Sequence, residues 1–184
     1  EIHGDLMLWG GKHIPFASVS PEAAEMSVTF GAPSKTFNIP GLVSSWMIVP
    51  NQRLRDPFYR WMEANEFSSP TFTATVGTEA AYRCGEQWLD QLLPYIEGNV
   101  QAVEKFFAEN CPKIKPLRPQ ASFLVWLDCR ELGLTQEQLI EWFKARGLAL
   151  NDGSMFGAAG TGFMRLNIAM PRAALLSALA PLKS

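Results

Sequence analysis

Between Glu86 and Glu109, the residues Trp88, Leu92, Ile96, Val100, Val103 and Phe107 recur at steps of three and four. That spacing places them on one stripe of a long helix, and such a stripe must be covered by other elements. Pro94 and Gly98 fall inside it and are expected to bend or weaken its middle. The rest of the chain supplies candidates for the cover. Short apolar runs at Met26–Phe30, Ser44–Val49, Ala121–Leu127, Leu148–Leu150 and Phe163–Ala169 read as strands, and residues 1–9 read as the end of a strand or an edge segment. Ser20-Pro21-Glu22 opens a short helix with a cap, a proline at its first position and an acid in its first turn. Further helices are expected over Asp56–Glu66, from the Ser69–Pro70 pair to a stop at Gly85, and from Pro171 to about Leu182. Thr135 and Gln138 have the spacing of a capping box, and Gly147 fits the stop of the helix that they open. Asn110–Gln120 reads as a proline- and lysine-rich connection. Helices alternating with short strands indicate an α/β layered fold. The seam is expected near 85–98, with residues 1–85 and 86–184 as its two parts.

Composition narrows the function classes. A chain of 184 residues with 47% hydrophobic content can bury a substantial core. Its formal charge of -2 gives no sign of a nucleic-acid or anionic-membrane partner. No apolar run is long enough to span a bilayer. Cys84, Cys111 and Cys129 lack the spacing of a metal site, and with two histidines no metal centre is expected. They read as idle or buried thiols of a cytoplasmic protein. The opening Glu-Ile-His-Gly-Asp-Leu has no initiator Met, so the chain reads as cut from something longer.

Two places could carry chemistry. In 163–169, Phe163, Arg165 and Asn167 alternate with Met164, Leu166 and Ile168, which puts the second set in a core and an arginine beside an amide on the other face. An arginine fork suits a carboxylate, and it also suits an ordinary surface position. Lys35 follows Gly31-Ala32-Pro33-Ser34, a turn beyond an apolar strand. It could be a solvated lysine, or a Schiff-base lysine held to meet a carbonyl. The Gly-Ala-Pro-Ser turn could sit beside a phosphate, with the Ser34 hydroxyl as donor. The run Gly157–Gly162 lacks the strand–turn–helix setting of a dinucleotide fingerprint, and no Gly-x-Ser-x-Gly elbow is present.

Four segments, "EIHGDL", "KHIPFASVSPE", "APSKTFNIPGL" and "GFMRLNIAMPR", stand in an order that resembles the pyridoxal-phosphate enzymes of aminotransferase class I/II, fold type I. The branch most resembled is that of the cystathionine β-lyase-like C–S lyases, and the resemblance runs through essentially the whole chain. It implies a C-terminal half: residues 1–85 would complete the large cofactor domain, and 86–184 would form the small C-terminal domain. Lys35 would bind pyridoxal 5'-phosphate and move the substrate Cα proton. His3 would lie near the cofactor's phenolic oxygen, Ser34 beside its phosphate, and Arg165 would hold the substrate α-carboxylate. Many aminotransferases of the superfamily place an arginine eight residues after the lysine; here that position is Val43, as is common among the lyases. The aspartate that pairs with the pyridine nitrogen would precede Glu1. The implied activity is α,β-elimination from a sulfur amino acid by a homodimer. The alternatives are an aminotransferase on the same fold, and a non-catalytic fragment or half of a split protein.

Overall fold

The long helix is present from Glu86 to Asn110, as its stripe requires, and Pro94 and Gly98 lie within one continuous run of helix. The computed structural model describes residues 1–67 and 69–183. Its chain divides into two compact units, Glu1–Leu92 and Leu93–Ser184.

In the first unit, residues 2–5 form turns and Met7 makes a single bridge, so the strand expected over 1–9 does not form. Leu6 and Leu8 are nevertheless fully covered. Ser20 caps α1 (Pro21–Glu25) by accepting from the Ala23 amide. The strand expected over Met26–Phe30 shrinks to β1 (Thr29–Gly31), which pairs antiparallel with β2 (Trp46–Ile48). Met26 and Phe30 are exposed, so this run is not the buried strand that its composition suggested. Gly31 faces Trp46, and a Cβ there would overlap the indole ring. The next helix, α2 (Gln52–Ala64), begins four residues before the expected start because the Asn51 side chain accepts from the Arg53 amide. Thr71 caps α3 (Phe72–Cys84), which stops at Gly85 as expected. The α4 helix (Glu86–Asn110) follows and crosses the unit boundary in sequence.

The second unit is a four-stranded antiparallel sheet with helices. Its strands are β3 (Lys115–Leu117), β4 (Leu124–Asp128), β5 (Asn151–Asp152) and β6 (Phe163–Asn167), in the order β3-β4-β6-β5. The β3 edge strand lies inside the connection expected over 110–120, and Pro116 sits within it, as an edge tolerates. The strand expected at 148–150 falls instead at β5. The register pairs Val125 with Leu166 and Leu127 with Met164, so one face of the sheet is apolar and buried. Ile96, Val100, Val103 and Phe107 of α4 join that core, as do Leu139 and Phe143 of α5 (Gln136–Lys144) and Leu175 and Leu179 of α6 (Arg172–Leu179). The capping box at Thr135 and Gln138 is formed in both directions. Gly147 closes the turn after α5 at φ 80°, a conformation that glycine reaches without strain.

Asn99 is the polar exception in this core, at 1% exposure. Its amide nitrogen donates to the carbonyl oxygens of Ile168 and Met170, and its oxygen accepts from Arg172 Nε at 3.0 Å. The α4 helix is thereby tied to the chain leaving β6. Gly98 leaves room for the Arg172 guanidinium, where a Cβ would collide with it. Cys84, Cys111 and Cys129 are free thiols, exposed, half-buried and buried in turn. Burial pushes the Cys129 thiol up to about 12, aided by the nearby Asp128 charge. No described helix is long and apolar enough to cross a membrane, and the described residues hold no cluster of three or more potential metal ligands.

Candidate functional site

Lys35 belongs to the first unit, in a turn over residues 33–38. The Phe37 amide donates to Pro33 O and the Ile39 amide to Ser34 O, which winds the chain tightly around the lysine. Ala32, Pro33 and Thr36 are buried, whereas Lys35 is exposed. The sequence around it thus anchors the backbone and leaves the amine outside. Thr36 does most of the anchoring. It is fully buried, its hydroxyl donates to Asp5 Oδ2 at 2.9 Å, and its carbonyl accepts from Trp88 Nε1 at 3.1 Å. A loop pinned on two sides holds a side chain's base far better than one merely closed by composition.

The Thr36–Asp5 bond brings the opening segment to this turn. His3, half-buried, precedes Asp5 by two residues, and its carbonyl accepts from the Leu6 amide. Ser34 is half-buried on the same turn as Lys35, and its hydroxyl makes no hydrogen bond among the described residues. Glu1 accepts from His13 Nε2 at 3.0 Å and from the Phe16 amide at 2.8 Å. The His13 bond is the main reason that its carboxyl lies below the usual range. Val43, eight residues after the lysine, is 84% exposed and takes a left-handed φ of 49°, which is unusual for a β-branched side chain.

Arg165 belongs to the second unit. In the register of the sheet, Trp126 of β4 and Asn151 of β5 lie directly opposite it on its two sides. Its Nη2 donates to Asn151 Oδ1 at 2.9 Å, and its guanidinium carbon lies 4.5 Å from the Phe156 ring centroid. Phe156 in turn meets Trp126 edge-on at 5.5 Å. The Nε of Arg165 is buried and has no hydrogen-bond partner among the described residues. A buried guanidinium donor left unpaired is costly, and an oxygen acceptor would relieve it. Beside the arginine is a cavity of about 180 Å³, lined by Asn151, Asn167 and mainly apolar residues of β6, α6 and 148–150.

The structure therefore places Ser34 and Lys35 on one turn, ties the segment of His3 to it through Asp5, and sets Arg165 in an aromatic frame in the other unit. Residue-by-residue reading of the sequence missed Thr36, Asn151 and Phe156. The available signal for the last two was the glycine-rich run directly before β6.

No family model matches the chain. Among curated proteins, cystathionine β-lyase PatB of Bacillus subtilis is 43% identical over 100% of this chain and 48% of that protein. More distant is an aspartate aminotransferase of Pyrococcus horikoshii, at 27% identity over 91% of this chain and 42% of its own length. Among solved structures, a pyridoxal-phosphate-bound protein from Clostridium difficile 630 that carries an aminotransferase name superposes with a TM-score of 0.96 at 38% identity, covering 100% of this chain and 48% of the other. Cystalysin from Treponema denticola, which contains a pyridoxal 5'-phosphate cofactor, gives 0.92 at 32% identity over 100% and 47%. The chain thus has the fold of the C-terminal half of a fold type I pyridoxal-phosphate-dependent enzyme. Within that class its curated relatives include cystathionine β-lyases, and the curated aminotransferases are less similar. It spans about half the length of the curated relatives it matches.

Proposed function

We propose that this chain is the C-terminal half of a pyridoxal-phosphate-dependent C–S β-lyase, which eliminates a thiol from a sulfur amino acid of the cystathionine or cysteine type. The observation that carries the reading is similarity along the whole of this chain to a cystathionine β-lyase at 43% identity, against 27% for a curated aminotransferase. The uncharged Val43 after the lysine points the same way. An aminotransferase is the second reading, favoured by the shared fold and by the aminotransferase name of the Clostridium difficile structure at 38% identity.

The residues present fit the cofactor. Lys35 offers an outward amine on a pinned turn, Ser34 a hydroxyl with no hydrogen bond among the described residues, and His3 a half-buried imidazole two residues from the Asp5 anchor. The cofactor supplies an electron sink for the bond-breaking at Cα. Lys35 would hold the cofactor through its amine and would take the substrate Cα proton. Ser34 would donate toward the phosphate, and His3 would lie near the phenolic oxygen. Arg165 holds the α-carboxylate through its planar fork, and its unpaired Nε is a donor suited to that role. Loss of the Cα proton and departure of the thiolate from Cβ, with one water then cleaving the C–N bond, would give pyruvate, ammonia and a thiol. The two large parts of the fold would be the end of the cofactor domain, 1–85, and the small domain, 86–184. The active form would be a homodimer acting on an amino acid in the cytoplasm.

The test is titration with pyridoxal phosphate, borohydride treatment to make any attachment permanent, and peptide mass mapping. A single adduct at Lys35 supports the reading. Adducts scattered over surface lysines would overturn the assignment of the cofactor site. In the complete enzyme, Lys35→Ala should lower turnover by more than about a thousandfold, and pyruvate release from cystathionine without a keto-acid acceptor separates lyase from aminotransferase.

A further inference from the structure

Arg165 makes its contacts with groups carried by one loop. Asn151 and Phe156 belong to 151–162, the glycine-rich stretch that leads into β6. This loop is braced from within. Asp152 Oδ1 accepts from the Ser154 amide at 2.8 Å, and its Oδ2 accepts from the Ser154 hydroxyl at 2.7 Å. Gln136, at the start of α5, donates to Asp152 Oδ1 at 2.7 Å while its own oxygen accepts from the Gly162 amide at 2.7 Å. One glutamine side chain therefore clamps both ends of the loop. Gly153 and Gly160 come so close that a Cβ on Gly160 would collide with the Gly153 carbonyl. The loop is wound into two short 3-10 turns, Gly153–Phe156 and Ala158–Gly160, so Phe156 projects from a fixed backbone.

We infer that the 151–162 loop is a clasp for the substrate-reading arginine, with Asn151 and Phe156 as positioning residues that fix the plane of the Arg165 guanidinium. The inference rests on the reading of Arg165 as the carboxylate-binding group. A free arginine side chain samples many rotamers, and ordering it on binding weakens the net interaction. Here one Nη is engaged by Asn151 and a face is covered by Phe156, with Trp126 braced against that ring. The fork is then presented in one plane, with its buried Nε unpaired among the described residues. Neither positioning side chain needs to touch the substrate. Their effect is to make the arginine discriminate a carboxylate from a neutral amide, because bidentate pairing depends on planarity and alignment.

The experiment measures binding of L-alanine and of L-alaninamide to the complete holoenzyme through the absorbance of the bound cofactor. The ratio of the two dissociation constants reports carboxylate discrimination. Asn151→Ala and Phe156→Leu should each lower that ratio by about tenfold, the size of one charge-assisted hydrogen bond or cation–π contact. Phe156→Tyr, which keeps the ring, should restore it. Cofactor affinity, the alaninamide constant and the unfolding midpoint should stay unchanged; a merely structural role would move all three. Asn151 is exposed and Phe156 is half exposed, so the chain tolerates both changes. If Arg165→Lys collapses the ratio while Asn151→Ala and Phe156→Leu leave it intact, the clasp is overturned and the arginine's role stands. If Arg165→Lys itself leaves the ratio intact, the underlying reading of Arg165 fails.

Discussion

The two units of this chain handle apolar surface in opposite ways. The second covers one face of its sheet with three helices, and the side chains of Val125, Leu127, Phe143, Ile168 and Leu175 are at most 1% exposed. The first has a two-stranded sheet and a thin core around Leu6, Leu8 and Ala74, with Ile14, Met26, Ile48, Trp61, Phe67 and Phe72 all more than half exposed. That unit therefore leaves much of its large apolar surface in water. The contrast separates two kinds of site. Arg165 sits on a sheet whose other face is a closed core. Lys35 sits on a turn held by a few polar bonds, chiefly those of Thr36.

The sharpest way to break this comparison is to separate its halves. Residues 86–184 produced alone should unfold cooperatively in denaturant, whereas 1–85 alone should show no cooperative transition and should bind hydrophobic dye. The reverse outcome would remove the argument from burial. Next in size is a pair of truncations in the intact chain. Phe143→Ala should destabilise the second unit by about 3–5 kcal/mol through loss of burial and a residual cavity. Phe72→Ala, at a position 82% exposed, should change stability by about 0.5 kcal/mol or less. Equal shifts of the two denaturation midpoints would contradict the division.

Asn99→Leu comes third. It strips hydrogen bonds from the Ile168 and Met170 carbonyls and from Arg172 Nε, and it should cost about 2–3 kcal/mol. Faster amide exchange in 163–172 should accompany the loss; exchange unchanged in that segment would mean that Asn99 does not tie the strand's exit to α4. The smallest effect is an acid limb. The Ser154 hydroxyl bond is the leading cause that holds the Asp152 carboxyl below its ordinary value. A depressed folded value means that this contribution is fully present above the unfolded carboxylate range and is lost as pH falls through the folded value. Ser154→Ala should therefore cost about 0.5 kcal/mol near pH 7, the low end expected for a bond to a solvent-screened carboxylate, and progressively less as pH falls below the carboxylate range. A penalty independent of pH would show that the hydroxyl acts on something other than the carboxylate.

Much of the architecture was legible in the residues taken one segment at a time. The α4 stripe, the capping box at Thr135, the Gly85 and Gly147 stops and the alternation of β6 each follow from local geometry, and each is present. The segments read incorrectly are those whose state depends on a partner. Lys115–Leu117 is a strand because Trp126–Asp128 pairs with it, and its own Pro116 argued against it. Met26–Phe30 looked buried by composition, yet only Thr29–Gly31 finds a pairing partner.

The site divides along the same line. Lys35 in a small-residue turn and Arg165 on an alternating strand could be singled out from sequence, because residue type and spacing carry that signal. Sequence also determined the helix stripe and its caps, since these depend on periods of a few residues. Tertiary structure alone decided that Thr36 anchors the lysine's turn to Asp5, that Asn99 reaches residues 69 and 71 positions away, and that Asn151 and Phe156 frame the arginine. The physical reason is that a hydrogen bond or ring contact over such separations exists only after the chain has closed, and its free energy depends on which groups that closure leaves without water.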